Sequence, residues 1–296
     1  MNPIVKIATA LRFVANHPLN RNRKFKAVAE YGFIQTAALI IPGDICLEFP
    51  NRTRLLVSPQ MKGAAHFITP RLCEFEDMAF VMHFLRAGEM FADVGANVGA
   101  FTVLAAGVTG AKTISFEPSP ETFAMLSRNV RLNGLTDLAR TVNAVAGRSV
   151  GTVQFSANLG TENHVAAVSE QATSVTVPMT TLDHELAANP PVLLKVDVEG
   201  FETEVFGGAE KTLQNQALQA IIVERSGAGN RYGYDEEQLH AHIRSHGFSA
   251  CSYTPFTRQV HPIGNQDGNI IYIRDLKSAN ERLRTAPAFE LGDLKV

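Results

Sequence analysis

A doubly wound α/β sheet is the fold class this sequence predicts, and three observations predict it. From residue 90 onward, short runs of Val, Ile, Leu and Phe alternate with helical stretches, the order a parallel sheet requires. Polar residues end three successive strands, Asp93, Glu117 and Asn143, where an open sheet opens its ligand crevice. Composition is globular: of 296 residues, 45% are hydrophobic and 19% charged, which excludes disordered, collagen-like and coiled-coil classes. With 27 Lys+Arg against 29 Asp+Glu, the formal charge is −2, so the chain is not built to neutralise phosphates and no nucleic-acid partner is expected.

The elements follow in order. Residues 1–29 carry six basic side chains and no acid, with Ile4, Ile7, Leu11 and Val14 at helical spacing, which reads as a basic amphipathic helix. Its stripe serves either to pack on the protein or to make a peripheral membrane contact. Over 40–58, two β-prone runs flank Pro50-Asn51-Arg52 and predict a hairpin. Residues 1–75 thus form an accessory segment, 76–275 the main domain and 276–296 a tail. Strands are expected over 90–94, 113–117, 141–145, 192–198 and 220–224, then 248–253 and 269–274. Helices are expected over 98–106, from Ser119-Pro120-Glu121 to Asn133-Gly134, over 201–213 and over 235–246. Two short β runs, 153–155 and 175–177, flank a polar loop. Three dispersed cysteines, Cys46, Cys73 and Cys251, form no CxxC pair, which argues against disulfides or a cysteine zinc site and fits a reducing compartment. Lys6 and Arg12 interrupt the N-terminal apolar run, so no secretory signal is read and a cytoplasmic location is expected.

The chemistry gathers at strand ends. The loop Asp93-Val94-Gly95-Ala96-Asn97-Val98-Gly99 fails the dinucleotide fingerprint at two of its three glycines. A carboxylate at Asp93 would repel a pyrophosphate and attract an ammonium, while the helix N-terminus near Val98 suits a carboxylate. The methionyl end of S-adenosylmethionine carries both groups. Glu117, 24 residues after Asp93, can accept from both ribose hydroxyls, and Asn143 can read an adenine edge. On the fourth strand, Lys195, Asp197 and Glu199 alternate onto one side, with Lys195 neutralising its acidic neighbours.

These segments, DVGANVG, FEPSPETF and LLKVDVEGFE, resemble the FkbM family of S-adenosylmethionine-dependent methyltransferases over about 200 residues, 76–275. The resemblance implies a class I methyltransferase (Rossmann-like) fold, a seven-stranded sheet with its last strand antiparallel, and O-methylation of a sugar, glycan or related hydroxyl acceptor. Carried over by position, Asp93, Gly95, Ala96, Asn97, Gly99, Glu117, Pro118, Asn143 and Ala144 line the cofactor, and Asp197 and Glu199 flank the reaction centre. A D-P-P-Y or N-P-P-Y motif for nucleobase amines is absent at 197, which favours a hydroxyl. His164, in the polar loop, is a third candidate base. No metal is required, because Asp197 and Glu199 lack an evident third ligand, and His242 and His246 read as helix-end residues rather than a zinc pair. Two other classes compete: a nicotinamide oxidoreductase, which lacks its glycine fingerprint, and a non-catalytic S-adenosylmethionine-binding module, which has no use for acids at 197 and 199.

Overall fold

The computed structural model describes residues 3–40, 43–58, 72–156, 163–166, 174–264, 268–291 and 294–295. Two helices come first, α1 (Pro3–Asn16) and α2 (Lys24–Ile40), where one basic helix was expected. The helix stops at Asn16 because Pro18 has no N–H to continue the ladder and opens a 3-10 turn instead. Of the predicted stripe, Val14 is buried and Leu11 half-buried; the side chains of Ile4 and Ile7 lie outside the described residues. The predicted hairpin forms from β1 (Ile45–Glu48) and β2 (Arg54–Val57), antiparallel, with Pro50–Arg52 as a single 3-10 turn. Helix α3 (Phe75–Phe84), unanticipated and buried almost all round, leads into the sheet.

The sheet then builds as strand and helix alternate. Strands β3 (Met90–Val94), β4 (Lys112–Phe116) and β5 (Ala139–Val142) run parallel. Between β3 and β4, α4 (Ala100–Val103) starts two residues later than expected, because Gly99 sits at φ 92°, and it ends in a π turn over Leu104–Val108. Helix α5 (Pro120–Leu132) has the predicted start and stop: the Ser119 hydroxyl accepts from the Thr122 N–H at 3.4 Å, Pro120 is the first helical residue, and Gly134 takes φ 65°. Two asparagines one turn apart, Asn129 on α5 and Asn133 just after it, clip the hairpin to this body. Asn129 donates to Leu56 O (3.0 Å) and Val98 O (2.8 Å) and accepts from Leu56 N (2.6 Å); Asn133 exchanges 2.7 Å bonds with the backbone of Arg54. The main chain of β2 is thereby tied to the loop after β3.

A small sheet follows, formed by β6 (Val145–Ala146), β7 (Gly151–Ser156) and β8 (Ser174–Thr180) in the order β6-β8-β7. The expected strand over 141–145 is thus two strands, because the chain leaves the large sheet at Asn143. The polar loop between β7 and β8 falls outside the described residues except for 163–166. After a short helix α6 (Leu182–Glu185), the central strand β9 (Leu193–Val196) is entirely buried. The helix expected over 201–213 is broken into α7 (Glu202–Gly207) and α8 (Glu210–Gln214), where the Gly208 backbone comes so close to Gly147 that a Cβ would stand 2.0 Å from its carbonyl oxygen. Strand β10 (Ala220–Arg225), helix α9 (Glu236–Ser245) and strands β11 (Ser249–Thr254), β12 (Gln259–Pro262) and β13 (Gly268–Ile273) complete the large sheet.

Its order is β12-β11-β13-β10-β9-β3-β4-β5, with β13 antiparallel to both neighbours. This is the predicted doubly wound class I arrangement, with one additional edge strand, β12, making eight rather than seven. Order reverses between β3 and β9, which places the crevice at their carboxyl ends. The segment expected as a tail carries helix α10 (Leu276–Arg284). Asp275 caps it by accepting from Lys277 N (2.9 Å) and Ser278 N (3.1 Å), and its apolar side, Ala279 and Leu283, is buried in the same core cluster as α3. Few apolar residues in a polar sequence make such a helix look like a tail, but they share one face. Leu283→Ala should destabilise the fold by about 2–5 kcal/mol, read by denaturant unfolding; an unchanged midpoint would mean that α10 carries no core packing.

Candidate active site

The crevice is built by three crossing loops. After β3 the backbone takes positive φ at Gly95 (81°), Asn97 (52°) and Gly99 (92°). Gly95 N and Ala96 N both donate to Phe116 O, at 3.0 and 2.9 Å, which bends the loop over the end of β4. On its other side, Asp197 N donates to Val94 O at 3.0 Å. A Cβ on Gly95 would stand 1.8 Å from the Asp197 carbonyl oxygen, so this crossing admits only glycine. Gly95, Ala96 and Asn97 line the crevice. Gly99 does not; it starts α4 against Leu126.

Glu117 lines the crevice from the end of β4 and is 7% exposed. Its two oxygens accept from Asn97 N (3.0 Å) and Ser119 N (2.9 Å), so one carboxyl joins the β3 loop to the start of α5. Burial pushes its carboxyl up to about 7, against those two backbone N–H groups, which favour the charged form. Pro118 and Ala144 also line the crevice. Asn143, expected to read an adenine edge, instead donates to Glu117 O (2.8 Å) and Pro118 O (3.0 Å) and is absent from the lining. Its amide holds the Glu117 turn because β5 has just ended and two carbonyls there need a donor.

Asp93 departs from expectation in the same way. It is fully buried and outside the lining; the Thr102 hydroxyl donates to its Oδ2 at 2.7 Å, and its Oδ1 has no hydrogen bond among the described residues. Burial raises its carboxyl above the ordinary range, and Lys195, paired beside it in the β3–β9 register, opposes that shift. Asp93 therefore stands behind Lys195 rather than in the crevice wall.

Lys195 projects into the crevice from β9, 2.8 Å from Asp197 Oδ2, with its Nζ 4.7 Å from the Phe101 ring centroid. Burial works against its charge, but Asp197, Glu74 and Asp93 outweigh burial and hold the ammonium above its ordinary value. The strand ends at Val196, two residues sooner than predicted, so alternation does not carry Glu199 to its place. A turn does: Glu199 takes φ 56° and Gly200 φ 102°, and Glu202 accepts from Val198 N (3.1 Å) and Gly200 N (3.2 Å). Asp197 and Glu199 both line the crevice, as predicted. Glu202 is the buried staple of their turn, with burial pushing it up to about 7. Glu224, at the end of β10, is likewise raised to about 7 by burial and by Asp197, Glu199 and Glu202.

His164 is buried and absent from the lining; its N–H donates to Ser156 Oγ at 2.9 Å, and its neighbours Asn163 and Val165 face the crevice instead. Val165 is held there by Tyr232, whose hydroxyl donates to its carbonyl at 2.6 Å. One lining acid escaped the sequence reading. Glu74 stands at the start of α3 and also lines the crevice, where burial and Asp197 raise it to about 7 while Lys195 draws it down. It lay just outside the assigned main domain, in a segment with no motif to flag it. His242 and His246 do close a helix end, His246 following α9 directly, but each also faces a Glu210 oxygen on α8, at 3.0 and 3.5 Å. Among the described residues this is the one trio of side chains able to share a metal ion, and it lies outside the crevice lining.

The family model for the Methyltransferase FkbM domain matches residues 93–250, more than half of the chain. The chain belongs to the FkbM methyltransferase family. It is similar to the hexuronic acid methyltransferase AglP of Haloferax volcanii, 32% identical over 136 residues, 45% of this chain and 54% of that protein, so the match spans about half of that relative's length. Among solved structures it is similar to methyltransferase FkbM from Methylobacillus flagellatus KT, at 16% identity, covering 84% of this chain and 60% of that chain with a TM-score of 0.46. It is also similar to an rRNA methylase from Streptococcus thermophilus, at 15% identity over 68% of this chain and 94% of that one, TM-score 0.40.

The cofactor of the FkbM family is S-adenosylmethionine, and the crevice fits it. Glu74, Glu117, Asp197 and Glu199 face one ammonium, Lys195, which is already paired. Such a lining attracts a sulfonium and an α-ammonium and repels a dinucleotide pyrophosphate. Glu117 would hold the ribose hydroxyls, with Phe101 and Phe116 as apolar walls. Glu117→Ala should weaken S-adenosylmethionine binding by about 2–3 kcal/mol by calorimetry, the loss of charge-assisted hydrogen bonds. Because Glu117 is raised to about 7 and must be ionised to accept both hydroxyls, wild-type affinity should fall as pH drops below 7. Glu117→Gln should flatten that dependence; the same slope in both proteins would place the titrating group elsewhere.

Proposed function

We propose that this chain is an O-methyltransferase acting on a hydroxyl of a sugar or glycan acceptor. The acidic lining around a single paired lysine carries this reading. Bound S-adenosylmethionine supplies a methyl group made electrophilic by its sulfonium. The protein must then hold a hydroxyl in line with that methyl and accept its proton, since a sugar hydroxyl does not ionise near neutrality. Asp197 is suited to that role: Lys195 fixes its carboxylate at 2.8 Å, and it is partly open to the crevice. Glu199 and Glu74 flank the same space and can accept hydrogen bonds from neighbouring acceptor hydroxyls. Base and positioning acids come from the turn after β9 and the start of α3, so they are held by the rigid body of the sheet.

The relative AglP is by its name a hexuronic acid methyltransferase, which supports a sugar acceptor here. The electrostatics refine this. A uronate carboxylate at the reaction centre would meet Glu74, Asp197 and Glu199, so a neutral sugar hydroxyl is the better partner. Asp197→Asn should lower kcat by at least about 10² with little change in cofactor affinity, whereas His164→Ala should cost less than about tenfold. The reverse ranking in single-turnover methyl transfer would move the base to the loop. Comparing neutral glycans with uronate-containing ones, followed by mass spectrometry of the methylated product, tests the acceptor class.

A further inference from the structure

Helix α2 is apolar on more than the side it buries. Ala27 is fully buried against the protein, yet Phe25 is 94% exposed, Phe33 74% and Ile40 74%. On a helical projection Phe25, Ala29, Gly32, Phe33, Thr36 and Ile40 fall within an arc of about 100°, opposite Ala27. All six are exposed, so they form one continuous face rather than scattered side chains. The exposed Lys24 and Lys26 flank Phe25 on its two sides, and Glu30, the one acid in residues 1–40, is paired with Arg23. Charge is divided sharply along the chain: residues 1–40 hold six Lys/Arg and one acid, the remainder 21 Lys/Arg and 28 acids.

We propose that this face of α2 docks on an anionic lipid membrane. An apolar ridge with lysines on both flanks lets aromatic side chains enter the acyl boundary while the ammonium groups meet lipid phosphates. A second copy of the chain is the poorer occupant, because pairing two such faces would bring like charges together. The contact is interfacial, since no helix among the described residues is long and apolar enough to cross a membrane. Membrane contact is thereby assigned to the outer face of α2 rather than to the stripe of α1, of which Val14 is buried. Docking through α2 would also hold the crevice near the bilayer: Glu74 lines both the crevice and an adjoining cavity walled by Phe13 and His17 at the end of α1. The proposal does not depend on the acceptor or on the reaction.

The test is sedimentation of the full chain with vesicles of phosphatidylcholine alone and of phosphatidylcholine with phosphatidylglycerol. Wild type should pellet with the anionic vesicles and far less with the neutral ones. Phe25→Ser with Phe33→Ser should lower the partition coefficient at least about tenfold, and Lys24→Gln or Lys26→Gln about fivefold each. All these side chains are exposed, so thermal melting should match wild type and separate lost docking from lost folding. Equal pelleting of wild type and the double phenylalanine variant, or no pelleting of wild type, overturns the proposal. So does light scattering that shows a wild-type dimer dissolved by the same variant, which would give the face to a second copy.

Discussion

The buried ammonium of Lys195 is the interaction on which the crevice depends. It stands on the central strand between Asp93 in the register of β3 and Asp197 at the strand's end, and its field reaches Glu74 and Asp77 at the start of α3. Each of those carboxyls is partly or wholly withdrawn from water, and burial raises Asp77 to about 6 and Glu74 to about 7. Without the lysine, several buried acids would repel one another across a few ångströms, and the least costly response would be protonation or separation of the strands' ends. With it, the group stays compact and one acid, Asp197, is held oriented at the crevice mouth.

A second constraint is the backbone crossing at Gly95. The loops after β3 and β9 touch there main chain to main chain, which is why the carboxyl end of the sheet can bring Glu117 and Asp197 into a single pocket. Several polar groups exposed by that bend are answered locally. Phe116 O takes two N–H groups, Glu117 takes two more, and Asn143 and Glu202 each close a turn with a pair of bonds. A sheet end so fully bonded loses little order on receiving a ligand, so binding energy is not spent on organising the loops.

Acids divide here into two kinds by what their oxygens touch. Glu202 staples its turn through backbone N–H groups and Asp93 takes the Thr102 hydroxyl behind the crevice, whereas Asp197, Glu199 and Glu74 line it. Residue type alone cannot separate them. The motif K-x-D-x-E-G-x-E carries both kinds within eight positions, and the difference arises from where the strand stops and the turn begins.

By itself the sequence determined the α/β class, the capped helix after β4, the hairpin, and the acids at 117, 197 and 199 as crevice residues. Those features rest on local chemistry: apolar runs, caps, glycines and strand ends act over a few residues and are written consecutively. Tertiary structure decided what depends on partners distant in the chain. Asn143 and Asp93 became supports because the turn after β4 offered one two carbonyls and helix α4 offered the other a hydroxyl. Glu74 entered the site because Asn269 of β13 ties the start of α3 to the sheet, and His164 left it because its segment pairs with β7. Helix α10 joined the core because two apolar residues found a buried surface. Such roles are set by which groups meet across the sheet and by how much water is excluded there, quantities that no short stretch of sequence contains.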